Sequence, residues 1–382
     1  MIHTRRTRPR GFTLIELMVA LLVSSLLVGM ILAIFSRISL AYRGQQQIAG
    51  LQQVLAAART TIELDAKQAG LGMPQGFKTA MTGAALQSPI QVTNSSTNPD
   101  QIAFFYADTS TQAVITNTAW PGPPPAAIID PPGTFAVGDL VVLATASTSQ
   151  APLNPGTDPD VATYDSCVLR VAGVAGATIT FDTAAPWGAV PMAHCSTPVA
   201  NRTMVYRFVA NAYRINVTTP AAAAFGALEQ SPVGGLLGGN ADKWTPLAYG
   251  FADIQTAVRV YDPLGAELDG DGDPQRNWYS GANQNAATRL PTVPANSLPV
   301  QMMITLVART DRDVEGIATA ATPELTGAAS GTPLNNNSLG DRPSTVLPVA
   351  QPWPDPLLPG NKIYRYTTFQ VDFRNLGVGT QP

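Results

Sequence analysis

Charge is scarce in this chain. Only 13% of residues are Asp, Glu, Lys or Arg, and none of these falls between Leu17 and Phe35. Histidine is scarcer still, with His3 near the N terminus and His194 as the only two. A histidine-dependent triad therefore has one possible base, and a His-rich metal site has too few ligands. His194 sits beside Cys195 and reads more simply as a loop residue. No phosphate-binding loop is present: Gly234–Gly239 is glycine-rich, but no clear helix and no Lys-Ser or Lys-Thr follows it. No paired carboxylates occupy a recognisable helix. These absences point away from an enzyme. Cysteine is limited to Cys167 and Cys195. Proline is plentiful at 33 residues, yet absent from Phe12 to Met73.

The chain has an apolar N-terminal run in place of those features. Met1–Arg10 holds Arg5, Arg6, Arg8 and Arg10 and no acid. Gly11-Phe12-Thr13-Leu14-Ile15-Glu16 follows, and then an apolar stretch from Leu17 to Phe35 diluted only by Ser24, Ser25 and Gly29. A helix of about 20 such residues spans a bilayer core. Glu16 is the one ionisable residue near its start; a carboxylate in lipid is costly and marks a function by default. An ordinary secretory signal also has a basic n-region. It has no reason to carry that glutamate, however, and here no small-residue cleavage site ends the apolar run.

Gly11 to Glu16 followed by an apolar helix resembles the class III signal of type IV pilins and type II secretion pseudopilins. The resemblance implies cleavage between Gly11 and Phe12 by a prepilin peptidase and methylation of the new Phe12 amine. It also implies that Glu16 pairs with the N-terminal ammonium of a neighbouring subunit during assembly. Ala69–Gly72, Phe135–Leu143, Met303–Arg309 and Tyr364–Leu376 are similar, in that order, to PilW-type minor pilins. Such a subunit is a structural component that helps to prime filament assembly, with a place at the tip, and supports twitching motility and adhesion. Its implied partners are other minor and major pilins, the prepilin peptidase, the inner-membrane assembly machinery and the membrane itself. The alternatives are a type II secretion pseudopilin, and a pilus adhesin or DNA-uptake subunit.

The fold expected is α+β, with a long N-terminal helical stem on an antiparallel β-rich head. Residues 1–11 form the leader, 12–38 the membrane or filament-core half of the stem, 39–70 its amphipathic half, and 71–382 the head. Ile48, Leu51, Val54, Leu55, Ala58 and Ile62 form one apolar stripe at three- and four-residue steps. Gly70 and Gly72 make a plausible stop. With no proline in the stem, no kink is expected. The leader arginines stay cytoplasmic by the positive-inside rule. Chain beyond about Arg37 then faces the periplasm before assembly and the cell surface after it. In an oxidising compartment Cys167 and Cys195 form a disulfide, with two free thiols as the alternative.

Strands are expected at 101–107, 112–116, 137–145, 204–217, 254–261, 300–309 and 363–373, with a hairpin over 168–181 that bends near Gly173 and Gly176. Pro121–Pro132, Ser147–Asp160, Thr218–Gly239 and Gly316–Ser344 read as loops. Without its leader the chain holds 19 basic against 26 acidic residues, a net of −7 ignoring termini. That balance gives no footprint for nucleic acid. Asp269, Asp271 and Asp273 alternate with glycines and resemble the start of a calcium-binding loop. The pattern then fails: Pro274 stands at the sixth position and Ser280 at the twelfth. Calcium on these three carboxylates and a plain solvated turn both remain open.

Overall fold

The computed structural model describes residues 13–73, 76–79, 83–93, 99–120, 124–146, 164–183, 195, 197–216, 226–231, 243–261, 276–279, 298–310 and 364–373. The α+β expectation holds: one long helix is followed by two largely antiparallel sheets.

The helix, α1, runs unbroken from Leu14 to Gln68. Its 55 residues make a rod of about 80 Å. It starts on a capping box in which the Thr13 hydroxyl accepts from the Glu16 N–H, and the Glu16 carboxylate accepts from the Thr13 N–H. Gly70 and Gly72 end it, as expected, with φ of 80° and 73°. The Gly70 N–H donates to Phe105 O, and Ala107 N–H donates to Leu71 O, so the turn is stitched directly to the head. A Cβ on Gly72 would lie 2.6 Å from the Ala107 Cβ, so this crossing needs glycine twice over, for space and for φ.

The head begins with β1 (Phe77–Thr79), β2 (Gly83–Gln87), β3 (Ile90–Thr93), β4 (Gln101–Ala119), β5 (Ala126–Asp130), β6 (Leu140–Ala146), β7 (Tyr164–Ala175) and β8 (Thr178–Phe181). It continues with β9 (Thr203–Asn216), β10 (Ala227–Ser231), β11 (Thr245–Tyr249), β12 (Phe251–Tyr261), β13 (Arg276–Tyr279), β14 (Leu298–Arg309) and β15 (Tyr364–Asp372). Strands β1 to β11 make one sheet; the second has the order β13-β12-β14-β15. β6 hydrogen-bonds to both β7 and β9, which closes β4, β5, β8, β7, β6 and β9 into a six-strand circuit. Ile115, Ile129, Val141, Leu143, Leu169, Val171, Ile179, Phe181 and Val205 form one buried cluster with residues from each of these strands. Closure of this kind removes edges that would otherwise invite pairing.

Along the first part of β4 successive residues serve two cores, as strand alternation requires. Ile102 and Phe104 face the cluster around α1, and Ala103 and Phe105 face a second cluster with Phe77, Phe208 and Ala210. Helix α1 lies against both sheets. Leu51, Leu55, Ala58, Ile62 and Ala66 are buried with Phe104, Tyr213, Ile215 and Leu228 on one side and with Ile254, Ile304, Leu306, Phe369 and Val371 on the other. The Arg59 guanidinium sits 5.4 Å from the Phe369 ring centroid, which extends that contact to β15.

The expected strands need several corrections, and β1, β2, β3, β11 and β13 are additional to those expected. The segments 101–107 and 112–116 are one strand, β4, with a register break between Asp108 and Gln112. The Asp108 carboxylate accepts from Ser110 and Thr111 and folds those polar residues into a local excursion without ending the ladder. Pro121–Pro132 contains β5, because its prolines flank Ala126–Asp130 and leave the ladder N–H groups intact. Thr218–Gly239 contains β10, whose Leu228 is 1% exposed against the helix-facing core. The 168–181 hairpin turns at Gly176 and Ala177, and β6 starts at Leu140 because Val137 and Gly138 form a turn.

Candidate functional site

The region that stands out chemically is the stem, and its two ends differ. From Leu14 to Ile38 the side chains project into open space: Leu14 is 80% exposed and Phe35 68%. This is the one helix among the described residues long and apolar enough to cross a membrane. Its few hydroxyls do not break the apolar surface. Ser24, Ser25 and Ser36 donate to Leu21 O, Leu22 O and Ala33 O within the helix itself. At the top of that surface the Glu16 carboxylate lies folded back on Thr13, with the Thr13 N–H 3.0 Å and the Thr13 hydroxyl 2.9 Å away. One Glu16 oxygen takes both bonds, and among the described residues the other has no donor.

The opposite end carries a second acid, Asp65, buried in the last turn of α1. A negative charge there is opposed by the helix dipole, and burial adds to the cost. Three neutral donors compensate. Tyr106 OH donates to Asp65 Oδ1 at 2.9 Å, Asn211 Nδ2 donates to Oδ2 at 2.9 Å, and Tyr213 OH also donates to Oδ2. Burial, and then the Asp65 charge, push both phenols well above the ordinary tyrosine range. They stay protonated donors at any physiological pH. The cluster fixes the helix terminus to β4 and β9 and sets how the rod leaves the head.

That cluster escaped the sequence reading, although a signal was present. Leu51, Leu55, Ala58, Ile62, Asp65 and Ala69 continue one three-four spacing, so position 65 falls on the buried face. An acid on a core stripe implies converging donors. The donors themselves lie about 40 and 150 residues further on and share no local pattern with it.

Cys167 of β7 and Cys195 are joined by a disulfide, with a Cα–Cα distance of 5.6 Å, inside the cluster enclosed by the six-strand circuit. Among the residues expected to act, Gly11 and Phe12 lie outside the described residues, as do Asp269, Asp271 and Asp273. His194 and Gly234–Gly239 also lie outside them. Among the described residues no group of three or more His, Cys, Asp or Glu is arranged to hold a metal ion.

Residues 6–32 match the prokaryotic N-terminal methylation motif. The match spans Arg6, Arg8, Arg10, Gly11, Phe12, Glu16 and most of the exposed apolar surface. Neither the curated proteins nor the solved structures yield a match to this chain. The N terminus is therefore that of a type IV prepilin-like or pseudopilin-like subunit, joined to a large β-rich head. Such an N terminus anchors in a membrane and engages pilus-type assembly components.

Proposed function

We propose that this chain is a minor pilin of a type IV pilus, of the PilW type, which primes filament assembly and takes a position at or near the tip. The observation that carries the reading is the exposed apolar rod, Leu14–Ile38, directly behind the methylation motif. A surface of this kind is stable only in lipid or against other apolar helices. It acts by assembly, without turnover. The precursor sits in the inner membrane with its head in the periplasm, and the leader arginines hold that orientation. Cleavage after Gly11 frees the Phe12 amine, which is then methylated. The rod leaves the bilayer and packs among the rods of other pilins, trading lipid contact for helix contact.

Glu16 supplies the register. Once surrounded by apolar helices its carboxylate needs a cation, and the ammonium of a neighbouring subunit meets that need. Thr13 already holds the carboxylate in place through the capping box, so little side-chain entropy remains to be lost on pairing. The large head and its disulfide suit a subunit exposed outside the cell. Twitching motility and adhesion follow from membership in the pilus. The same N terminus also serves secretion pseudopilins, and deletion separates the two: loss of piliation supports the pilin reading, whereas loss of secretion with normal pili overturns it. Immunogold labelling of purified pili gives the position in the filament.

A further inference from the structure

The two sheets meet along an edge of β12 that β13 leaves uncovered. β13 pairs only with Val258–Tyr261, and the chain just before β4 takes over further up. There the Asp100 N–H donates to Ile254 O, while Asp100 Oδ2 accepts from the Thr256 N–H and hydroxyl at 2.9 and 3.0 Å. Nearby, Gly250 and Phe251 donate to Gly226 O, at the start of β10. Residues 250–256 are thus the seam of the head.

Asp253 sits in this seam and is fully buried. Its Oδ1 accepts from Gln255 Nε2 at 3.1 Å, and its Oδ2 has no hydrogen-bond partner. Among the described residues, the charged groups around it make no ion pair with it. Asp100, from the segment before β4, is another acid. Arg309 of β14 lies on the same face of the sheet, beside Val307 opposite Asp253, but it makes no ion pair with Asp253. Arg214 of β9 and Glu229 of β10 pair with each other at 2.8 Å. Arg276 of β13 stands opposite Tyr261, at the far end of the strand. Among the described residues, an ionised carboxylate here would have one oxygen with no donor, no paired countercharge and a second acid close by.

We infer that Asp253 carries its proton in the folded head at neutral pH, making the seam between the two sheets an acid-tolerant, alkali-sensitive element. This inference is independent of the pilin reading, since it rests on the head alone. Burial lifts the group to about 8, helped by the Asp100 charge and opposed in part by the hydrogen bonds from the Gln255 amide and the Ile254 N–H. The sign follows from linkage. An unfolded Asp titrates near 3.9, so between that pH and about 8 the folded chain holds the extra proton. The Asp253 contribution is full below the unfolded value, falls as pH rises through this window and is lost above it.

The test is made on the full chain in detergent micelles. Melting temperatures of the wild type and Asp253→Asn are compared at about pH 5 and about pH 9. The wild type is expected to lose ground to the variant as pH rises, since the amide cannot ionise. Equal pH slopes in the two proteins would overturn the inference. Should the variant fail to fold, infrared spectroscopy of the wild type decides. A protonated-carboxyl C=O band at neutral pH that titrates out above about pH 8 supports it, and the lack of any such band contradicts it.

Discussion

The two halves of α1 belong to one continuous helix, yet they solve opposite problems. The N-terminal half shows apolar residues on every face and packs against nothing among the described residues. The C-terminal half shows one apolar stripe, sealed between two sheets, with mostly polar and small residues elsewhere. Each half carries an acid at its outer end. Among the described residues Glu16 is exposed and bound only by Thr13, whereas Asp65 is buried and served by three donors from the head. An all-round apolar helix seeks partners outside the chain, and a striped one finds them within it. The difference therefore separates what folds the subunit from what assembles it.

The sharpest way to break this contrast is a charge in the exposed half. Leu26→Arg should abolish stable anchoring, since a charge at mid-membrane costs about 3 kcal/mol or more. The melting temperature of the head should be unchanged, because Leu26 is 53% exposed and touches no head core. Fractionation and calorimetry check the two parts. Asp65→Ala should do the reverse. It strands two phenols and an amide in the interior and should destabilise the head by roughly 3 kcal/mol, with anchoring intact. Loss of anchoring in that variant would contradict the division.

The effect of the disulfide is of comparable size. Cys167 and Cys195 close a loop of sequence separation 28, and replacing both by serine should cost about 3–4 kcal/mol in the chain-entropy picture. Chemical denaturation with and without reductant reads this, and again anchoring should not respond. The smallest effect is expected at Leu64. It lies between buried Ile62 and Asp65, yet points outward at 58% exposure. Leu64→Ala should shift stability by less than about 0.5 kcal/mol. A larger loss would place a second packed face on this half of the helix.

Much of this division can be read directly from the chain. The uncharged run behind Glu16, the stripe from Leu51 to Ile62 and the glycine stop at 70 and 72 are local patterns, and each is realised where the spacing places it. The long alternating strands β9, β12, β14 and β15 are also legible, because their own residues carry the period. What stays hidden is set by distant chain. The Asp65 donors come from β4 and β9, β5 is masked by flanking prolines, and the closure of the six-strand circuit depends on β6 meeting β9 about 60 residues away. The break at Asp108 looks like a strand end until its pairing with β9 is seen on both sides. Local sequence reports local periodicity, and long-range pairing leaves no mark of comparable strength in it.

On the proposed reading, the assembly half becomes useful only after Met1–Gly11 is removed, because the basic segment would otherwise hold the rod in the membrane. An intact-mass measurement on the protein isolated from cells with an active prepilin peptidase tests this directly. Chains that begin at Phe12 and carry one added methyl group are predicted. Chains that still carry Met1–Gly11 would contradict the account.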